Sequence, residues 1–93
     1  MANMKTGKWV LTAGINNDVV YDTKFATEIT SFIQRYLHCD WGDMCEDDKK
    51  LNDEALKSGQ DRILAAYESS RGKVYIITEW DRSYTTVLYA SEY

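Results

Sequence analysis

The hydrophobic period of this chain changes once, near Gly59, and that change sets its fold class. Before Gly59, Phe25, Ile29, Phe32, Ile33, Tyr36 and Leu37 recur at steps of three, four, seven and eight, the signature of one helix face. After it, KVYIITEW (73–80) and YTTVLYA (84–90) are β-branched and aromatic runs parted by short turns. A single switch within 93 residues describes one domain, 1–93. The expected fold is α+β: an antiparallel sheet, made of a three-stranded C-terminal meander plus an N-terminal strand, covered on one face by two consecutive α-helices.

The element boundaries follow from local chemistry. KWVLT (8–12) reads as the N-terminal strand, and AGINND (13–18) as a turn. Val19, Val20 and Tyr21 either extend a second short strand or lead into a helix. Asp22 and Thr23 are N-cap candidates for a helix over 24–38. Asp40-Trp41-Gly42-Asp43 breaks that helix, and a second runs over 44–58 with Leu51, Ala55 and Leu56 as its apolar positions. Asp43 and Glu46 have the spacing of a capping-box variant, and Gly59 is a natural helix stop. RILAAYE (62–68) is the first strand of the meander. In the middle strand Tyr75 and Ile77 share one face, and Val74, Ile76, Thr78 and Trp80 the other; alternation does not choose which is the core.

Composition excludes several classes. No apolar run approaches the roughly eighteen residues of a membrane span. Met1–Lys8 lacks the apolar stretch of a secretory signal, so the chain reads as cytoplasmic. The net charge of −4 disfavours a binder of phosphate backbone, and no direct nucleic-acid contact is expected. Cys39 and Cys45 read as reduced thiols. With His38 they lack the spacing and the fourth ligand of a zinc site, so no metal and no cofactor is expected. His38, at a helix end, reads as structural.

The most unusual segment is 40–54. Asp40, Asp43, Glu46, Asp47, Asp48, Asp53 and Glu54 face only Lys49 and Lys50, a net of −5 from seven carboxylates and two lysines. Helix chemistry accounts for Asp43, Glu46 and in part Asp47, because acids in a first turn complement the macrodipole. It does not require Asp48, Asp53 or Glu54. The functional reading is an acidic face that meets a basic partner surface. Seven Tyr and three Trp exceed what so small a core should consume, and such residues dominate interface hot spots. Trp41, Tyr84, Tyr89 and Tyr93 are the expected surface aromatics. The expected partner-binding set is Asp40, Trp41, Asp47, Asp48, Asp53, Glu54, Tyr84 and Tyr89, with no catalytic residue. An enzymatic alternative, metal-dependent or nucleotide-acting, would use Asp40, Asp43, Glu79 and Asp81. A further alternative is a module that sequesters a small ligand.

DWGDMCEDDKKLNDEAL, then G-x-D-RILAAY, then VYIITEWDRSYTTVLYASEY resemble a family of small uncharacterised proteins carried by phages, plasmids and other mobile elements. The likeness covers the C-terminal half to two-thirds of the chain. The D-W-G-D and I-T-E-x-D-R-S-x-T-T blocks are its specific part, with Trp80 and Ala90 as departures. The resemblance implies a mobile-element setting and no set chemistry. Small acidic proteins there neutralise host defence enzymes, so the expectation by analogy is a non-enzymatic inhibitor of the anti-CRISPR kind. Its partner would be a large host defence effector, CRISPR–Cas or similar.

Overall fold

The computed structural model describes residues 4–93; part of the Met1–Lys8 stretch read for a leader lies outside them. The order is β1 (Lys8–Leu11), α1 (Ala13–Tyr21), α2 (Thr23–Leu37), α3 (Glu46–Ser58), β2 (Ile63–Ser69), β3 (Gly72–Thr78) and β4 (Tyr84–Tyr89), closed by a short 3₁₀ turn, Ala90–Glu92. The α+β class and the meander β2–β3–β4 match the sequence reading. The sheet, in the order β1-β4-β3-β2, is mixed rather than antiparallel, because β1 runs parallel to β4. The whole helical layer intervenes between β1 and the meander. The parity of that return path sets the direction of β1, and no local pattern records it.

The second correction is α1, which replaces the expected turn at 13–18. AGINNDVVY has weak helix propensity. Tertiary burial overrides it: Ile15 is fully buried, Val19 packs on the core, and the Thr12 side chain caps the helix by accepting from the Ile15 N–H at 3.3 Å. Asp22 ends α1 and begins α2, where its carboxylate accepts from the Phe25 N–H at 3.1 Å. Phe25, Ile29, Phe32 and Tyr36 form the buried stripe of α2; Ile33 is only partly buried against it, and Leu37, read as part of the same face, is exposed.

Cross-strand register settles the two sheet faces. Ile63–Thr78–Thr85–Trp9 and Ala65–Ile76–Val87–Leu11 form rows on the face toward the helices. Leu64–Ile77–Thr86–Val10 forms a row on the opposite face, which also carries Tyr75 and Tyr84. Core aromatics pack ring on ring: Phe32 on Tyr67 at 4.9 Å, Phe25 on Tyr89 at 5.7 Å, and Trp41 edge-on to Tyr36 at 5.5 Å. The core thus uses aromatics that composition had counted as surplus, among them Trp41 and Tyr89.

Candidate partner-binding surface

The acidic helix α3 is fixed to the sheet by backbone chemistry. It lies beside the outer edge of β2, a strand whose free N–H and C=O groups would otherwise be open. Asn52, buried on α3, donates its side-chain amide to the Leu64 carbonyl (2.7 Å) and accepts from the Leu64 N–H (3.2 Å). Two residues on, the Ala66 N–H donates to the Trp41 carbonyl (3.2 Å), and the Asp43 N–H to the Ala66 carbonyl (2.6 Å). The 41–43 segment therefore seals the edge like a rudimentary strand, bridged at Gly42. Gly42 has φ +74°, and a Cβ there would lie 2.1 Å from the Ala66 carbonyl oxygen, so only glycine fits.

The far end of α3 is held by Arg82. Its guanidinium donates to five backbone carbonyls: Ala55 and Gln60 through one terminal nitrogen, and Asp61, Glu79 and Trp80 through the other. A cation at a helix C-terminus also complements the macrodipole. The D-W-G-D segment (40–43) and the I-T-E-x-D-R-S segment (77–83) are thus the two fastenings of α3.

This architecture sorts the expected binding residues into two groups. Asp40 is exposed, but its carboxylate accepts from the Arg35 guanidinium at 2.8 Å and from the Gly42 N–H at 3.1 Å. Arg35 holds the Asp40 carboxyl below the usual carboxylate range. Trp41, expected at the surface, is 3% exposed, and its indole N–H donates to Asp53 at 2.9 Å. Asp53 is thereby occupied as the acceptor for a buried donor, which no sequence pattern indicates. Tyr89 is half-buried on the helix side of the sheet, where its hydroxyl donates to Asp18. Desolvation raises the Tyr89 hydroxyl first, and Asp18 adds to the shift, so it remains a donor. The expected capping role of Asp43 is absent: Cys45 is the N-cap without a side-chain bond, and Asp43 sits 3.8 Å from the Lys73 ammonium.

The second group is Asp47, Asp48 and Glu54, all exposed and all without an ion-pair partner among the described residues. At 100° per residue they surround one side of α3, with Leu51 between them. Leu51 was expected on the inner face, but Asn52 and Ala55 take that face and leave Leu51 61% exposed. Lys49, Lys50 and Lys57 lie toward the other side of the helix, with Glu46 and Asp53. Two shallow depressions flank Leu51, one lined also by Glu54, Ser58 and Asp61, the other by Met44, Asp48 and Leu64, and Arg62 borders both. Leu51 and Arg62 are the site residues that sequence reading missed. The signal for Leu51 was Asn52, the polar neighbour that takes the inner face by bonding Leu64 of β2.

Tyr84 is 42% exposed and Tyr93 61% exposed. Tyr84 stands on β4, two strands from the edge that α3 covers. Tyr93 packs edge-on to Tyr75 at 5.6 Å, with Arg62 over its ring. Of the carboxylates of the enzymatic alternative, Asp40 is paired with Arg35, Asp43 lies by Lys73, Asp81 accepts from the Ser83 N–H in its own turn, and Glu79 is half-buried. Among the described residues, no three His, Cys, Asp or Glu side chains stand close enough to hold a metal ion. Among the described residues, too, no helix is long and apolar enough to cross a membrane. Cys39 is half-buried and Cys45 exposed, and both are free thiols.

No family model, curated protein or solved structure matches the chain.

Proposed function

We propose that this chain is a non-enzymatic binding protein that sets the acidic side of α3 against a basic surface of a larger protein. The observation that supports this reading is the division of labour among its acids. Asp40 and Asp53 are engaged within the fold and Asp43 lies by Lys73, whereas Asp47, Asp48 and Glu54 ring an exposed leucine with no ion-pair partner among the described residues. Three unpaired carboxylates around an apolar anchor suit a cationic surface with a hydrophobic pocket, and surfaces of that kind ordinarily hold nucleic acid. In the mobile-element setting that the resemblance implies, the role is inhibition of a host defence effector of the CRISPR–Cas class, by occupying its nucleic-acid channel. The test is a panel of purified effectors, each assayed for nucleic-acid binding and cleavage with and without the chain, across a salt series. The expected result is inhibition of at least one effector that weakens as salt rises, mostly through slower association. Binding that is indifferent to salt, or inhibition that leaves nucleic-acid binding intact, would contradict this reading.

A further inference from the structure

The sheet treats its two edges differently. The β2 edge is closed by Asn52 and by the 41–43 segment. At the other edge, the Lys8 N–H donates to the Ser83 carbonyl and the Thr12 N–H to the Val87 carbonyl, each at 3.1 Å. This fixes the parity of β1: Lys8, Val10 and Thr12 turn their backbone groups toward β4, while Trp9 and Leu11 turn theirs outward. Among the described residues, no backbone group pairs with the outward N–H or C=O of Trp9 or Leu11.

We infer that this edge joins two copies of the chain into one continuous eight-stranded sheet, with a twofold axis beside Val10. The arrangement is self-complementary, as an isologous contact must be. In antiparallel pairing about Val10, Trp9 of each copy faces Leu11 of the other, and each such pair exchanges both of its N–H···O=C bonds. Val10, 39% exposed, meets its own copy in the close, non-hydrogen-bonded position between them. Charge also matches. The same register sets Lys8 opposite Thr12 of the second copy, and the Thr12 hydroxyl donates to the Glu92 carboxylate at 3.0 Å. Lys8 is exposed and has no ion-pair partner among the described residues. Two Lys8–Glu92 pairs therefore form across the axis. Because α3 lies at the β2 end of each sheet, the dimer carries its two acidic helices at opposite extremes and leaves both uncovered. The inference stands apart from the identity of any partner bound by α3.

Sedimentation equilibrium from about 1 μM to 1 mM, read with amide hydrogen exchange, tests the inference. The wild type is expected to dimerise within that range and to protect the Trp9 and Leu11 amides as the dimer fills. Val10→Lys places two ammonium groups at the axis, on a position already exposed in the monomer. Lys8→Glu opposes two carboxylates and removes no ion pair of the monomer among the described residues. Each is expected to weaken dimerisation by about tenfold or more while the monomer stays folded. A wild type that is monomeric throughout would overturn the inference. So would a dimer that both variants leave intact, or one in which the Trp9 and Leu11 amides exchange freely.

Discussion

Asn52 on α3 and Leu64 on β2 exchange two hydrogen bonds, so that one helix side chain completes the backbone pairing of an edge strand. Leu64 thus has its outward N–H and C=O satisfied by a residue twelve positions earlier. Asn52→Ala would orphan both groups in a part-buried site, where each unpaired group costs about 1–3 kcal/mol. The expected loss is about 2–4 kcal/mol, measured by urea unfolding. Asn52→Asp keeps the acceptor but turns a carboxylate oxygen toward the Leu64 carbonyl, and is expected to destabilise as well. A neutral Asn52→Ala would show that α3 is held by packing alone.

The C-terminal fastening makes a separate prediction. Arg82 has φ +60° and spends its guanidinium on carbonyls from three segments. Lysine keeps the charge but not the planar fork that reaches Ala55 and Asp61 together. Arg82→Lys should therefore lose most of what Arg82→Ala loses, about 2–3 kcal/mol for charge-assisted bonds. Hydrogen exchange should speed first in the last turn of α3. Full stability in Arg82→Lys would reduce the interaction to simple charge.

A buried chain of hydroxyls runs from Thr85 through Thr78 to Tyr36, with separations of 2.8 and 2.7 Å. Thr85 donates to the Thr6 carbonyl at 2.6 Å, which obliges Thr78 to donate to Thr85 and Tyr36 to donate to Thr78. Burial pushes the Tyr36 hydroxyl far above its ordinary value, so it stays a donor. The two ends are unequal. Tyr36→Phe removes a terminal donor and strands none, and should cost about 1 kcal/mol. Thr85→Val strips the Thr6 carbonyl of its hydroxyl donor and turns the Thr78 proton back toward Tyr36, whose own hydroxyl is left only the Ile63 carbonyl at 3.5 Å, and should cost about 2–3 kcal/mol. Thermal unfolding of the two variants checks the order, and equal costs would reject the assigned direction.

Acid should weaken the fold through specific carboxylates. The Phe25 N–H and then Arg71 lower the pKa of Asp22, and Arg35 lowers that of Asp40. A carboxyl depressed in the folded state contributes fully above its unfolded pKa, near 3.8, and loses that contribution as pH falls through the lower folded value. The urea midpoint should therefore hold down to about pH 5 and drop below about pH 4. Asp22→Asn retains a good N-cap but not the charge. It should be less stable than the wild type at neutral pH and converge with it as pH falls below the depressed value of Asp22. Parallel curves for the two chains would contradict the assignment.

What the sequence reveals and what it hides divide by range. The α2 stripe, the Asp22 cap, the Gly59 stop and the β3–β4 hairpin are local patterns, and they match the structure. Helix α1 was hidden because its propensity is poor and only burial of Ile15 and packing of Val19 make it helical. The direction of β1 was hidden because it depends on a return path through three helices. At the candidate site, composition marks the acidic segment but cannot separate acids that serve the fold from acids that do not. That separation needs partners distant in sequence or folded back across a turn: Trp41 for Asp53, Lys73 for Asp43, Arg35 for Asp40. The aromatic surplus misled for the same reason, since Trp41 and Tyr89 find Tyr36 and Phe25 only in three dimensions.

The most direct test of the account compares two charge changes on α3. Asp47→Lys, Asp48→Lys and Glu54→Lys, combined, reverse the side around Leu51, while Lys50→Glu and Lys57→Glu alter the other side. Both sets of positions are exposed and free of ion pairs among the described residues, but Asp47 and Asp48 stand in the first turn of α3 and Lys57 in its last, so both variants should keep the wild-type circular dichroism while losing about 0.3–1 kcal/mol of helix-dipole stabilisation at each of those positions. Affinity for an effector that the wild type inhibits is the quantity to measure. The triple reversal is expected to abolish binding, and the lysine variant to retain it. A folded triple reversal that still inhibits at wild-type concentration would contradict the account and move the binding surface off α3.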